Sequence, residues 1–163
     1  MMKLKAKSYK LKAIQGFTAL EILIVVSIIA LVSTLIIIPF ASFRNNQLLK
    51  GAAEEVVALL ATARSKTLAS EADSQYGVHF TPSNMVLFKG STYNSADPTN
   101  QVVNFHNLIS LSDISLTAGA VDVVFRRLTG KATVNGTLTV SLQSDSAENR
   151  VITIYSTGLA SLN

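Results

Sequence analysis

Glu21 is the residue whose surroundings most clearly call for chemistry, because it is the one carboxylate in a long apolar segment. The 24 residues from Phe17 to Phe40 are apolar or hydroxylated apart from Glu21 and Pro39. A carboxylate in an apolar membrane helix costs on the order of 2.5–3.5 kcal/mol, so a partner or a function is expected for it. Cleavage after Gly16 would create an amine at Phe17, and positions i and i+4 share one helix face. That amine could pair with Glu21 of its own chain or of a neighbouring subunit; the alternative is a carboxylate that only snorkels to the membrane face.

The segment around Glu21 is predicted to be a membrane helix. It exceeds the roughly 20 residues that a helix needs to cross a bilayer, and Leu, Ile and Val occur on all its sides. Five lysines precede it, at positions 3, 5, 7, 10 and 12. Since so basic a short segment stays in the cytoplasm, the sequence predicts a single-pass protein of the cytoplasmic membrane with its C-terminal domain outside. An ordinary secretory signal has a shorter apolar core. An uncleaved signal anchor is a rival, although it explains neither Gly16-Phe17 nor Glu21.

These residues carry a family resemblance. A lysine-rich leader, then Gly16, then Phe-Thr-Ala-Leu-Glu and a long apolar run resembles the class III signal of type IV pilins and type II secretion pseudopilins. The resemblance implies cleavage between Gly16 and Phe17 by a membrane prepilin peptidase, N-methylation of Phe17, and an assembly role for Glu21. It also implies that the partners are other pilin or pseudopilin subunits, the peptidase, an inner-membrane assembly platform and membrane lipid. The family's usual order is Phe-Thr-Leu-x-Glu, from which Ala19-Leu20 is a mild departure.

The composition limits the rest of the chain to one small domain. Of 163 residues, about 120 remain beyond the membrane segment, enough for one core and not for two. The chain has no cysteine, which excludes disulfides and thiolate metal sites. Five of its 14 Lys and Arg residues lie in the leader, leaving nine against ten Asp and Glu. The net charge of +4 is therefore a targeting signal and gives no support to nucleic-acid binding.

The helical pattern changes character beyond Pro39. Proline lacks an N–H, and its ring clashes with the carbonyl four residues back, so a helix kink is predicted there. Residues 41–70 then form an amphipathic helix in which apolar residues recur at i, i+3, i+4 and i+7: Leu49, Ala52, Ala53, Val56, Val57, Leu60 and Ala63. The helix is expected to end near Ala69. The predicted organisation is thus a leader (1–16), an assembly helix (17–40), an amphipathic helix (41–70) and a β-sheet domain (71–163).

Period-two patterns predict strands from Gln75 onward. Tyr76–Phe80 and Met85–Lys89 flank a Pro-Ser-Asn turn and read as a hairpin, and residues 90–101 read as a loop. Asn135-Gly136 between alternating apolar residues predicts a type I′ hairpin turn. Further strands are predicted at 102–105, 109–116, 121–126, 150–155 and 159–162. One long helix followed only by strands predicts an α+β, pilin-like fold, with an antiparallel sheet packed on the helix.

Short motifs in this region carry a second resemblance. They are Ala63-Arg64-Ser65, Tyr76-Gly77-Val78, Phe125–Leu128 with Thr129-Gly130-Lys131, Ile152-Thr153-Ile154, and Thr157-Gly158. Together they look like those of H-type minor pseudopilins and their FimT-like pilus relatives. The resemblance implies a minor subunit.

The chain lacks residues in the arrangements that catalysis or a cofactor requires. It contains no recognisable nucleophile–base pairing, calcium loop, phosphate loop or dinucleotide fingerprint. His79 and His106 are each alone in a strand pattern and are interpreted as structural or surface histidines; a metal site built from separate loops stays open. Arg126, Arg127, Lys131 and Arg150 could contact DNA phosphates, but a solvated sheet face is favoured.

The function predicted from the sequence is therefore that of a minor pilin or pseudopilin. Such a protein is a structural subunit of a type IV pilus or a type II secretion pseudopilus, and neither an enzyme nor a cofactor-binding protein. The alternative is a DNA-binding minor pilin of a DNA-uptake pilus, in which the four basic residues hold the DNA. A membrane-anchored enzyme is the third possibility, and no residue pattern supports it.

Overall fold

A computed structural model describes the chain from residue 16 to residue 163, except for the side chains of residues 35–41. Helix α1 spans Ala19–Leu68. The predicted leader lies outside the described residues apart from Gly16. The chain divides into two units, Met1–Phe40 and Ala41–Asn163. The buried core belongs to the second unit.

The α1 residues of the second unit bury one face against strands. The predicted apolar stripe is confirmed: Leu49, Ala53, Val56, Leu60 and Ala63 are at most 1% exposed. Ala52 is also buried, whereas Val57 is half-buried. The helix ends one residue before the predicted Ala69.

Eight strands follow and form two antiparallel sheets of four strands each. The strands are β1 Tyr76–Phe80, β2 Asn84–Lys89, β3 Gln101–Asn104, β4 Ile109–Leu116, β5 Asp122–Val124, β6 Gly136–Leu142, β7 Asn149–Ile154 and β8 Ala160–Leu162. The first sheet has the order β3-β2-β1-β5 and the second the order β4-β6-β7-β8. The antiparallel sheet on a helix is confirmed, with the difference that the strands divide between two sheets. Apolar residues from both sheets join α1 in one core.

Thr67 fastens the end of α1 to the first sheet. Its side chain is fully buried. Its Oγ1 donates to the carbonyl oxygen of Ala63 at 2.8 Å and accepts a hydrogen bond from the N–H of Tyr76, also at 2.8 Å. A buried hydroxyl needs such partners, because an unsatisfied one costs about 1–3 kcal/mol. The first residue of β1 is therefore held against the last turn of the helix.

The hairpin predicted at Asn135-Gly136 is wrong. Gly136 is the first residue of β6, where it pairs with Leu116 of β4 and Ile154 of β7. Its φ of +150° differs from that of a type I′ turn residue. A Cβ at Gly136 would lie 2.1 Å from the carbonyl oxygen of Ser115. The glycine is thus used for a close approach of two backbones rather than for a turn.

Candidate functional site

The amino-terminal segment begins with non-helical backbone and a helix cap. Gly16, Phe17 and Thr18 precede α1. The N–H of Glu21 is 3.2 Å from Thr18 Oγ1, which accepts it. The carbonyl oxygen of Thr18 also accepts from Glu21 N at 3.1 Å and from Ile22 N at 3.2 Å. Sequence reasoning missed Thr18, although Thr-x-x-Glu ahead of an apolar run is the signature of a capping box.

Glu21 itself lies in the first turn of α1, where the helix dipole favours a negative charge. Among the side chains that the structure describes, none forms a hydrogen bond or an ion pair with its carboxylate. Phe17 is 77% exposed, and it lines an open recess with Gly16, Thr18 and Glu21. Because Thr18 starts the helix, Phe17 lies outside it, so the i, i+4 relation expected for Phe17 and Glu21 does not apply to the uncleaved chain. The two residues nevertheless border one recess.

The apolar part of α1 in the first unit is exposed at every residue whose side chain the structure describes. All described residues from 17 to 34 are exposed, among them Leu20 and Leu31 at 70% each. In the described part of the chain, no helix meets the length and hydropathy required of a membrane span. The helix continues through Pro39, but the structure does not describe the side chain of this proline. The kink at Pro39 therefore stays a prediction.

Three of the four basic residues proposed for DNA contact lie on one loop. Phe125 and Ala132 form an isolated bridge, which brings Arg126, Arg127 and Lys131 onto a single turn. Arg127 already forms an ion pair with Asp73. Its Nη2 is 2.5 Å from Asp73 Oδ1, and its Nη1 donates to the Asp73 carbonyl oxygen at 3.1 Å. Both partners are largely exposed, so the pair contributes little to stability.

Arg150 lies elsewhere. Its Nη2 donates to Asn46 Oδ1 at 3.2 Å, whereas the turn at 126–131 contacts α1 near Arg64. Residues 46 and 64 are separated by about 27 Å along a helix that rises 1.5 Å per residue. The structure therefore does not bring Arg150 to the other three cations. DNA binding by all four residues together gains no support from this placement.

His79 and Asp122 form a pair that the sequence did not suggest. They are cross-strand neighbours on β1 and β5, and His79 Nδ1 is 2.5 Å from Asp122 Oδ1. The ring of Tyr93 stacks on the imidazole with centroids 4.0 Å apart. Among the residues that the structure describes, no three His, Asp or Glu side chains cluster as metal ligands would. We interpret the pair as a structural anchor for the loop that carries Tyr93.

Hydrogen bonding shifts the pKa values of two charged groups on the surface, Asp97 and Lys66. Thr99 donates to Asp97 Oδ1 from its hydroxyl at 2.7 Å and from its N–H at 2.8 Å. These bonds favour the carboxylate and lower the pKa of Asp97. At the end of α1, the hydrogen bond to Glu71 raises the pKa of Lys66. Both are local features of turns rather than signs of catalysis.

The motifs singled out near the end of the chain meet at one point, around Arg64. Its Nε donates to the carbonyl oxygen of Gly130 at 3.0 Å. Gly158 lies so close that a Cβ there would stand 1.9 Å from the same oxygen. The backbones of Thr129-Gly130 and Thr157-Gly158 are therefore in direct contact next to Arg64. This close packing requires glycine at both 130 and 158. We call this contact of Arg64, Gly130 and Gly158 the arginine junction.

Close packing also explains why Gly77 of the Tyr-Gly-Val motif is a glycine. A Cβ at this position of β1 would lie 2.6 Å from Phe88 Cζ and 2.9 Å from the carbonyl oxygen of Val123. The missing side chain lets the ring of Phe88, which is 1% exposed, lie across the strand. The glycines of these motifs thus lie where neighbouring atoms approach too closely to leave room for a side chain.

The chain matches the family model described as "Type II transport protein GspH" over residues 52–158. It is also similar in structure to the type IV minor pilin FimU of Pseudomonas aeruginosa in two crystal forms. In one form the TM-score is 0.55 at 16% identity, covering 71% of this chain and 92% of FimU. In the other it is 0.58 at 17% identity, covering 74% and 92%. No curated protein is significantly similar to the chain in sequence. The likeness to FimU shows a shared fold, and the family match covers most of the second unit.

Proposed function

The chain belongs to the GspH family of type II transport proteins as a subunit of the minor pilin or pseudopilin class, and we propose that its amino-terminal segment inserts it into a fibre. In this proposal a prepilin peptidase removes the leader after Gly16. The new terminus at Phe17 is methylated, and α1 anchors the subunit in the cytoplasmic membrane with the second unit outside. An inner-membrane platform then moves the subunit from lipid into the fibre.

The single observation that supports this proposal is the carboxylate of Glu21. It projects from the first turn of an exposed apolar helix, and no described side chain neutralises it. In lipid or in the packed interior of a fibre, an isolated carboxylate costs on the order of 2.5–3.5 kcal/mol. Partnering it with a cation recovers much of that energy. A subunit carrying this residue is therefore stabilised by a neighbour that supplies a positive charge at the right depth.

The amine created at Phe17 is a suitable cation. It would follow the cleaved bond and precede the Thr18 cap, at the positive end of the α1 dipole, where a positive charge is unfavourable. A carboxylate nearby offsets that effect. In this proposal Glu21 of the next subunit supplies that carboxylate, and the apolar side chains around the two groups pack as the pair forms.

Replacing Glu21 tests this proposal. We expect Glu21→Ala to leave cleavage and methylation of Phe17 intact and to reduce the yield of fibre by more than about tenfold, since the amine of the neighbouring subunit then remains unpaired in an apolar environment. Mass spectrometry of the mature amino terminus reports processing, and the protein recovered in sheared fibres reports assembly. Ser27→Ala is the matched control, because Ser27 is exposed on the same apolar segment and bonds only to the helix carbonyl of Leu23, at 2.7 Å.

Two results would count against the proposal. An unchanged fibre yield from the Glu21 variant would remove the assembly role of the carboxylate. A native protein that still carries its lysine-rich leader, or that begins beyond Pro39, would remove the processing step on which the role depends.

A further inference from the structure

Three exposed leucines surround the arginine junction. Leu68, at the end of α1, is 43% exposed, Leu159 is 56% exposed and Leu128 is 88% exposed. A Cβ on Gly130 would lie 3.1 Å from both terminal methyl groups of Leu68, and Leu128 is two residues before that glycine. Solvent-exposed apolar residues that cluster, rather than occur singly, mark interaction sites.

A recess of about 270 Å³ opens between two of these leucines. Its walls are α1, through Val57, Ala61 and Leu68, and the segment Gly158–Ala160 beside it. The strand that follows the recess, β8, lies at the edge of its sheet. Arg64 and Ser65 also line it, so the surface offers a mainly apolar hollow with a polar side rather than a flat face.

Leu128 is held out by a rigid turn. The N–H of Arg126 donates to the carbonyl oxygen of Lys131 at 2.9 Å, and the N–H of Gly130 donates to that of Arg126, also at 2.9 Å. Leu128 has a φ of +66°, a left-handed conformation that a leucine rarely adopts. Neither burial nor backbone preference favours leucine here, so its presence indicates a role outside the folding of the subunit.

Cations border the same surface. Arg126 and Lys131 are exposed, and neither forms an ion pair with any residue of the described chain. Arg127 completes the rim, although Asp73 already pairs with it. An apolar centre inside a charged rim is the usual anatomy of a protein–protein interface.

We propose that Leu68, Leu128 and Leu159, with the recess that Leu68 and Leu159 line and the rim of Arg126 and Lys131, form the docking surface for another protein subunit of the same fibre. The partner presents carboxylates to the rim and an apolar side chain to the recess. This identity of the partner rests on the proposed function.

Charge and chemistry argue against the other occupants. Two copies of this chain placed face to face would bring together two basic rims, each with Arg126 and Lys131, which is unfavourable. Nucleic acid would leave the exposed leucines without an apolar partner.

Binding measured with the full chain in detergent tests the proposal. The probes are the other pilin-like proteins of the same organism, each purified singly. We expect one of them to bind the wild-type chain and to bind Leu128→Asn at least about tenfold more weakly, because burying a leucine contributes that much or more. Replacing Arg126 and Lys131 by glutamine should weaken binding at low salt and flatten its salt dependence. Val102→Asn is the matched control, since Val102 is another exposed apolar residue, at 56%, but lies on β3 of the other sheet.

A melting measurement keeps the result from being ambiguous. Asparagine tolerates the left-handed conformation better than leucine, so Leu128→Asn should keep or raise the melting temperature while it loses the partner. Equal binding by Leu128→Asn and the wild type, or no binding by any pilin-like protein, would overturn the proposal. So would self-association, binding to a DNA duplex or binding to phosphatidylglycerol vesicles that depends on Leu128. The assay requires neither cleavage at Gly16 nor Glu21, so its failure is distinguishable from failure of the assembly proposal.

Discussion

Replacing Gly158 by alanine is expected to disrupt the arginine junction and to lower the stability of the second unit. Gly158 has a φ of +83°, and a Cβ there would stand 1.9 Å from the carbonyl oxygen of Gly130 and 3.1 Å from Arg64 Nε. Backbone atoms cannot rotate away as a flexible side chain can. The segment that carries Gly158 must therefore move, and the hydrogen bond from Arg64 to Gly130, now 3.0 Å long, must lengthen or break.

The expected loss of stability has two parts. A left-handed alanine costs about 1–2 kcal/mol, and losing a hydrogen bond from a charged donor costs about 1.5–3 kcal/mol. Together they amount to about 2.5–5 kcal/mol, against a total of about 5–15 kcal/mol for a small domain. The melting temperature of the second unit should fall by about 10–20 °C.

Thermal unfolding of residues 41–163, followed by circular dichroism, measures this effect. Gly119→Ala is the matched control, because Gly119 has a similar φ of +67° but a Cβ there would meet no atom within 4 Å. That variant reports the backbone cost alone, about 1–2 kcal/mol. If Gly158→Ala is no less stable than Gly119→Ala, the close approach of the two Thr-Gly pairs is not what requires glycine.

Two further predictions concern Thr67 and Asp97. Thr67→Val should lower the free energy of unfolding by about 1–3 kcal/mol, because the N–H of Tyr76 loses its buried acceptor; urea denaturation measures this, and an unchanged midpoint would contradict it. The lowered pKa of Asp97 means that its carboxylate contributes stability above the unfolded-state pKa, and that this contribution is lost as the pH falls through the folded-state pKa. Thr99→Val, which keeps the backbone N–H and removes the hydroxyl, should raise the pKa of Asp97 towards its ordinary value, as followed by carboxyl ¹³C NMR. A titration identical to that of the wild type would show that the Thr99 hydroxyl is not the cause.

Local patterns in the sequence predicted most elements of the fold. The stripe from Leu49 to Ala63 and the hairpin of β1 and β2 depend on residue spacing and on a short turn, both of which are visible in a few consecutive residues. The pairing of β5 with β1 joins residues more than 40 positions apart, and no local pattern encodes it. The division into two sheets was therefore not predictable in the same way.

Asn135-Gly136 shows how a strong local signal can mislead. Asparagine followed by glycine suits a tight turn, but the backbone of Ser115 approaches this glycine from β4, a strand that is remote in the sequence and adjacent in the sheet. The same limitation applies to the basic residues. Their types were evident from the sequence, whereas Asp73 and Asn46 were identified as partners of Arg127 and Arg150 only by the fold.

The position of the Thr18 cap bears on how a protease reaches the chain. Peptide bonds are hydrolysed in extended backbone, and the bond between Gly16 and Phe17 lies in non-helical backbone ahead of α1. The first described carbonyl oxygen to accept a helical hydrogen bond belongs to Thr18, which lies on the C-terminal side of the Gly16–Phe17 peptide bond. Under the proposed processing, hydrolysis would break none of these bonds, so the enzyme needs no local melting of its substrate and the released subunit keeps the helix start that it had before the cut.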